Sequence, residues 1–200
     1  MGYYIFSYGI KTVEITKVFG SKDQMMWDKI TNTEKFKHYQ SFFLEGYQTT
    51  PEKALKDIIF GEKYDYTAYF AYGYALICIC DTLGYKLPYQ REIKSMYETE
   101  MMSKYLLYDF GVDIFWEDYL LQSYNLPFNI PPINDFPSIG LMSIENQKEL
   151  LQQLTIVQTK NLDMLKEDQD EKDVYENILG IMHNLSYCIQ NNLELISFCH

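Results

Sequence analysis

The chain has 200 residues, a hydrophobic content of 47% and a charged fraction of 22%, a balance that excludes an intrinsically disordered protein. Its formal net charge is −11, and a field of this sign repels phosphate backbones and anionic membrane surfaces. We therefore expect neither nucleic acid nor a membrane as a partner. No apolar run approaches the length of a membrane span or a signal peptide, so we predict a cytoplasmic protein.

The four cysteines agree with that compartment. Cys78 and Cys80 are two apart within an apolar helical pattern, which points them to different faces, while Cys188 and Cys199 are far away. We interpret them as buried free thiols in a reducing environment. The three histidines are scattered along the chain, and we predict no metal and no cofactor.

The N-terminal part of the chain mixes strand and helix signals. Residues 3–7 are aromatic and alternate in polarity, which predicts a strand. Residues 12–19 fit either a strand, because several are β-branched, or a two-turn helix ended by Gly20. Ser21 is predicted to cap the next helix, and a further helix is expected over about residues 34–43.

The strongest helical signals lie in the middle of the sequence. Thr50 as N-cap, Pro51 in the first turn and Gly61 as a stop define one helix. Residues 66–83 are apolar nearly all round, which predicts a buried central helix. Gly73 lies in the middle of it, and we expect another element to approach closely there.

Four further helices and a final strand complete the pattern. The helices are predicted over residues 91–107, 116–124, 143–165 and 174–190, with Ser143 as the N-cap of the third. Residues 193–199 alternate and predict a terminal strand. We therefore predict an α+β fold, predominantly α-helical, in which the N- and C-terminal strands pair in a small antiparallel sheet covered by helices.

Four of the six prolines lie between residues 127 and 137. This segment fits either a linker between two domains or a rigid loop inside one. Because the terminal strands are expected to pair, we predict a single domain over residues 1–200 with a Pro-rich strap at residues 127–140 inside it. Phe136 precedes Pro137 and would be held extended, with its ring available as an anchor.

Five segments stand out in order along nearly the whole chain: MGYYIFSYGI…VFGSKD, IIFGE, YGYALICICDTLG, IPPINDFPSIGLMSIE and LISFCH. Together they resemble an uncharacterised family of small bacterial proteins. Ile77 stands where the family pattern carries an acid, so no polar role is transferred to that position. The resemblance implies one domain and supplies no activity and no catalytic residues.

No motif in the sequence specifies a reaction. Phosphate-binding loops, zinc-protease motifs and nucleophile elbows are absent, and a DFG tripeptide lacks the other kinase motifs. Asp109, Asp113, Glu117 and Asp118 form the best carboxylate group, and paired carboxylates can divide acid and base roles. The first two would share a helix face only if the helix ran through Gly111. Without a partner histidine, we favour a solvated face.

Our leading hypothesis is a non-enzymatic protein-binding domain, possibly an immunity or inhibitor protein that neutralises a basic toxin by steric and electrostatic occlusion. Aromatic side chains would anchor the interface and carboxylates would pair with the partner's Lys and Arg. The candidate partner-binding residues are Glu167, Asp168, Asp170, Glu171 and Asp173 of an expected acidic turn, together with Asp135, Phe136, Glu117 and Asp118.

Two alternatives belong to other classes of protein. One is a small-molecule-binding protein or an enzyme of unknown reaction, with a pocket between the central helix and the loop at residues 127–140. The other is a structural subunit of a larger complex. The sequence leaves the partner, any ligand and the oligomeric state open.

Overall fold

A computed structural model describes residues 3–42, 48–122, 126–133, 136–159 and 169–200. Within these ranges the chain forms two compact units that alternate along the sequence. The first unit draws on Met1–Gly9, Lys86–Gln122 and Gly140–Cys199, and the second on Ile10–Tyr85, Ser123–Ile139 and His200. A single domain over residues 1–200 stays a prediction.

The first unit contains a four-stranded antiparallel sheet with the strand order β2-β1-β4-β3. The strands are β1 (Tyr4–Ile10), β2 (Ile93–Lys94), β3 (Ser138–Met142) and β4 (Glu194–Cys199). In the pairing of β1 with β2, Tyr4 lies opposite Lys94 and Ile5 lies opposite Ile93. The N- and C-terminal strands are neighbours in the sheet, which confirms the predicted pairing and the α+β class.

Aromatic and hydroxyl pairs join the two central strands. The Phe6 and Phe198 rings stack with centroids 5.7 Å apart, and the Tyr8 ring meets Phe198 edge-on at 6.3 Å. On neighbouring positions, the Ser7 and Ser197 hydroxyl oxygens are 2.7 Å apart and share a hydrogen bond. Such cross-strand pairs are the unit of sheet stabilisation, and here they tie the beginning of the chain to its end.

The part of the first unit that the structure describes also contains the helices α6 (Tyr97–Phe110), α7 (Trp116–Leu120), α8 (Ile144–Leu154) and α9 (Gln169–Gln190). A 3-10 turn, Thr155–Thr159, follows α8. Helices α7, α8 and α9 all pack on β4, and α6 and α8 pack on α9. The predicted cap at Ser143 is confirmed, because its hydroxyl accepts a hydrogen bond from the Asn146 N–H at 3.2 Å.

In its described residues, the second unit contains the helices α1 (Thr12–Thr16), α2 (Gln24–Thr31), α3 (Glu34–Tyr39), α4 (Pro51–Phe60) and α5 (Tyr69–Leu83). The other four pack on α5, which is buried nearly all round and is the predicted central helix. The predicted ends of α4 are confirmed. The Thr50 hydroxyl accepts from the Lys53 N–H at 3.3 Å, and Gly61 closes the helix with a φ of +70°.

The Pro-rich strap lies directly on α5. A Cβ atom on Gly73 would lie 2.7 Å from Cγ of Pro137 and 3.1 Å from Cδ1 of Ile133, so only glycine allows this approach. The predicted close contact at Gly73 is therefore confirmed. The Phe136–Pro137 peptide bond is cis and Phe136 is half-buried. Beyond the proline the chain enters strand β3, which the sequence did not predict.

Several predicted boundaries in the first half of the chain are wrong or incomplete. Residues 12–16 are helical, which resolves the ambiguous segment. Helix α2 is capped by Asp23 rather than Ser21, because the Asp23 carboxylate accepts from the Met25 N–H at 2.8 Å. Ser21 lies two residues before the N-cap position of this helix. The Asp23 carboxylate lies at that position and also interacts favourably with the helix dipole.

The later boundaries also differ. Helix α6 begins at Tyr97 rather than at residue 91, because residues 93–94 pair with β1 as a short edge strand. It ends at Gly111, whose φ is +68°, so Asp109 and Asp113 do not share a helix face. Helix α7 ends at Leu120. Helix α9 begins at Gln169, so residues 169–173 are helical and not an acidic turn; acids favour a helix N-terminus through the dipole.

Candidate functional site

A groove on the first unit, with a cavity volume of about 430 Å³, combines carboxylates with aromatic side chains. We call it the acidic groove. It is lined by Asp113, Phe115, Asp118, Tyr119, Gln122, Leu141, Met142, Asn146 and Glu149. Its walls come from the segment before α7, from α7 itself, from β3 and from α8.

The first wall is an extended segment between α6 and α7. Ile114 and Trp116 are buried, while Asp113 and Phe115 are exposed. This alternation follows from extended backbone, in which neighbouring side chains point to opposite sides. The Ser103 hydroxyl donates a hydrogen bond of 2.6 Å to the Ile114 carbonyl and fixes the segment. Asp113 and Phe115 are therefore held outward on one side.

Helix α7 adds a carboxylate and a second aromatic ring. Asp118 and Tyr119 lie within α7, three and four residues after Phe115, which precedes the helix in extended backbone. Thr99 of α6 contacts this helix, because its hydroxyl donates a hydrogen bond of 2.6 Å to the Glu117 carboxylate. The segment from Phe115 to Tyr119 thus supplies two aromatic rings and a carboxylate to the lining of the acidic groove.

Strand β3 lies against the end of α7 because of a glycine. A Cβ atom on Gly140 would overlap the carbonyl group of Leu120 and would lie 2.8 Å from Cα of Leu121. The absence of a side chain therefore lets the backbone of α7 reach the strand. The next two residues of the strand, Leu141 and Met142, supply the apolar part of the groove.

Helix α8 supplies the opposite wall. Asn146 and Glu149 are exposed and three residues apart, so they lie on one face. Between them Gln147 is buried, and its amide donates to the Met142 carbonyl at 3.1 Å and to the Leu193 carbonyl at 3.0 Å. That side chain joins the start of α8 to the end of β3 and to the residue before β4.

The charge of the acidic groove is uncompensated within the described ranges. Its three acids are Asp113, Asp118 and Glu149, and none of its described lining residues is a Lys or an Arg. None of the ion pairs found in those ranges includes these carboxylates. The described residues also contain no group of three His, Cys, Asp or Glu side chains arranged to hold a metal ion. The groove therefore suits an extended organic cation or a basic protein surface.

Among the predicted partner-binding residues that the structure describes, Asp118 alone lines the acidic groove. Its neighbour Glu117 is half-buried and accepts the hydrogen bond from Thr99, so it supports the helix. Asp173 is half-buried in α9 and accepts from Arg91 at 3.3 Å. An ion-paired carboxylate has less to offer a partner than a free one, because its existing pair must be broken.

The remaining predicted residues are elsewhere or undescribed. Asp170 and Glu171 lie at the start of α9, where the structure describes the backbone alone. Phe136 lies in the strap of the second unit. The residues that fall outside the described ranges are Asp135, Glu167 and Asp168.

Seven of the described groove residues were missed as candidates: Phe115, Tyr119, Gln122, Leu141, Met142, Asn146 and Glu149. A signal for the first was present in the alternation of Asp113, Ile114, Phe115 and Trp116, which places one ring outward. The contribution of α8 carries no local signal, because it depends on the long-range placement of β3.

A second groove lies on the second unit and has a cavity volume of about 420 Å³. It is lined by Gln24, Trp27, Thr50, Glu52, Lys53, Lys56 and Phe60. The Lys53 ammonium is already engaged, because it binds the buried Asp57 carboxylate and lies 2.9 Å from Glu62. Desolvation opposes the charge of Lys53, but the hydrogen bonds to Asp57 and Glu62 outweigh it and raise the pKa of the ammonium. This groove is therefore close to neutral in charge.

A buried polar network connects α4 to α5 behind that groove. The Tyr72 hydroxyl donates to the Asp57 carboxylate at 2.9 Å and accepts from the Asp65 N–H at 2.7 Å. Burial raises the pKa of the Tyr72 phenol, and the hydrogen bond to Asp57 adds to the rise. The phenol thus stays protonated at neutral pH. We assign the network to structure, since its donors and acceptors satisfy one another.

The cysteine thiols are unsuited to nucleophilic chemistry. All four cysteines are free and buried. Burial raises the pKa of the Cys78 and Cys188 thiols to about 12, and it also raises those of Cys80 and Cys199. A thiol acts as a nucleophile only as the thiolate, and burial disfavours that form here.

The chain belongs to an uncharacterised protein family, which confirms the resemblance seen in its sequence. That family is described as Domain of unknown function (DUF7691), and its model matches residues 1–200. No curated protein and no solved structure matches the chain.

Helix length and polarity also bear on membrane contact. Among the helices of the described ranges, none combines the length and the apolar character needed to cross a bilayer.

Proposed function

We propose that this protein is a non-enzymatic binding protein that docks a basic protein partner in the acidic groove, in the manner of an immunity or inhibitor protein that neutralises a toxin. The observation that carries the proposal is that Asp113, Asp118 and Glu149 line one groove with the exposed Phe115 and the half-buried Tyr119, and that no described lining residue is a Lys or an Arg. Each partner cation would replace water around a carboxylate without breaking an existing pair.

The aromatic side chains give the proposed interface its anchor. Phe115 is 64% exposed. The exposure of its apolar ring to water is unfavourable in free energy, in proportion to the exposed apolar area. Covering this ring together with Tyr119 would supply the apolar centre, and the carboxylates around it would supply orientation and fast association. The partner's active site is occluded if the Lys and Arg side chains bound in the acidic groove are the ones that the partner uses to hold phosphate.

We place the protein in the cytoplasm of a bacterial cell. Support comes from its four free, buried thiols, since such thiols are usual in reducing compartments. Support also comes from the net charge of −11, which favours association with a basic partner over association with nucleic acid.

The proposal is tested by retention of partners on immobilised protein. Wild-type protein and the variant Asp113→Asn/Asp118→Asn/Glu149→Gln are exposed to lysate of the native organism at low and moderate salt. We expect a basic protein that the wild type retains, that moderate salt weakens and that the variant loses. The retained protein is then expressed with and without this chain, and we expect relief of toxicity. If neither salt condition retains a basic protein on the wild type, the proposal is wrong.

A small-molecule-binding protein is the second candidate, supported by the groove on the second unit. Trp27 lines that groove and its ring centroid lies 6.0 Å from that of Phe60, so a bound aromatic molecule would have two rings to pack against. A change in Trp27 fluorescence on screening small aromatic metabolites, lost in Phe60→Ala, would support this candidate. An unchanged signal across the screen would count against it.

A further inference from the structure

We propose that the acidic groove receives an arginine side chain of the partner, in preference to lysine. This inference rests on the proposed function and specifies the chemistry of the contact. It comes from the shape of the groove and from the kinds of side chain that meet there, not from the acids alone.

The arrangement of the carboxylates argues for an extended cation. Asp113 lies in the extended segment before α7 and Asp118 lies within α7, while Glu149 comes from α8 on the opposite wall. No described trio of acids is placed to share one metal ion. Carboxylates on opposite walls are best bound by a cation with a delocalised charge and several hydrogen-bond donors. The guanidinium group has five N–H donors in a plane.

The aromatic side chains favour a planar cation. Phe115 directly precedes α7 and Tyr119 lies within that helix, and both line the groove together with Asp118. A guanidinium plane can stack on a ring while its edge donates two hydrogen bonds to a carboxylate. An ammonium group is compact and more strongly hydrated, so it gains less from the same rings.

The apolar residues of the groove suit the stem of a long side chain. Leu141 is half-buried and Met142 is buried in β3, and both line the groove. The three methylene groups of an arginine could lie along them while the charged end reaches the carboxylates, as long cationic side chains do on apolar surfaces. The Gln153 side-chain amide donates a hydrogen bond to the Tyr119 hydroxyl at 3.4 Å.

The test uses three short peptides that differ in one side chain: acetyl-Gly-Arg-Gly-amide, its lysine analogue and its citrulline analogue. Citrulline keeps the shape of arginine without the charge. Binding is followed in the full-length protein by NMR of the Phe115 and Tyr119 ring signals, with Tyr119→Phe used for assignment. We expect saturable shifts with the arginine peptide, roughly threefold or weaker binding of the lysine peptide, and no saturation with citrulline.

Two exposed carboxylates provide matched variants. Asp118→Asn should weaken the arginine peptide by roughly threefold or more, whereas Glu92→Gln, at an exposed acid outside the groove, should leave it unchanged. Equal binding of the lysine or citrulline peptide overturns the inference, and so does a lack of saturation with all three. In either case the proposed function still stands if the triple groove variant loses its protein partner. Retention of that partner by the variant overturns the proposed function itself.

Discussion

The contact between α7 and β3 positions one wall of the acidic groove, and Gly140→Ala tests it. The added Cβ would overlap the carbonyl of Leu120 and would lie 2.8 Å from Cα of Leu121. These are backbone atoms, so no rotamer change relieves the overlap, and α7 must move away by about 1 Å to restore ordinary contact. The movement carries Trp116, which is fully buried in the same helix. We expect the free energy of unfolding to fall by about 3 kcal/mol.

The assay is urea unfolding followed by tryptophan fluorescence in a Trp27→Phe background, which leaves Trp116 as the single reporter of the two tryptophans. A loss of about 3 kcal/mol corresponds to a midpoint lower by roughly 1 M urea. Gly111→Ala is the control, because its Cβ would meet nothing within 4 Å and only the left-handed backbone is strained, at about 1 kcal/mol. If Gly140→Ala is no more destabilising than this control, the described packing of α7 on β3 is wrong.

Four further outcomes follow from the contacts. Gly73→Ala should lower the free energy of unfolding by about 2 kcal/mol despite the better helix propensity of alanine, because the strap lies on that position; a stabilised variant in urea titration would contradict this. Tyr72→Phe should cost about 2 kcal/mol by the same measurement, since it leaves the buried Asp57 carboxylate without one donor, and a neutral effect would refute that role. At pH 8 a thiol reagent should modify no cysteine in the folded protein and all four after unfolding, because burial raises the thiol pKa values; rapid reaction of the folded protein would show an exposed thiol. Hydrogen bonds from Thr67 and Thr49 lower the pKa of Asp65 from 3.8, so its stabilising contribution is present at neutral pH and is lost as the pH falls below that value. Asp65→Asn should therefore destabilise at pH 7 and have little effect near pH 2, and equal destabilisation at both pH values would contradict the argument.

The parts of the fold that were predictable are those with local causes. Helix α4 has a hydroxyl cap, a proline in its first turn and a glycine in the left-handed region at its end, and each of these acts within a few residues. Helix α5 was recognised because it is apolar on every side, and Gly73 because a small residue inside such a helix implies a close neighbour. The pairing of β1 with β4 followed from two strands at opposite ends of the chain.

The parts that were not predictable depend on long-range pairing. Strand β2 has two residues and exists because β1 offers it an edge. Strand β3 follows the strap, and its five residues carry too little alternation to be separated from a loop. Strand β3 contributes to the acidic groove and precedes α8. Because β3 could not be predicted from local sequence, the wall formed by α8 could not be predicted either. The acidic segment that drew attention in the sequence is partly helical, and its Asp173 is paired with Arg91.

The central claim is that the acidic groove docks a basic partner, and the affinity of the retained partner tests it most directly. Isothermal titration calorimetry would compare the wild type, Glu92→Gln and the triple variant Asp113→Asn/Asp118→Asn/Glu149→Gln at two salt concentrations. We expect the triple variant to bind about tenfold more weakly and with less dependence on salt, while Glu92→Gln matches the wild type. An affinity and a salt dependence that are unchanged in the triple variant would contradict the account.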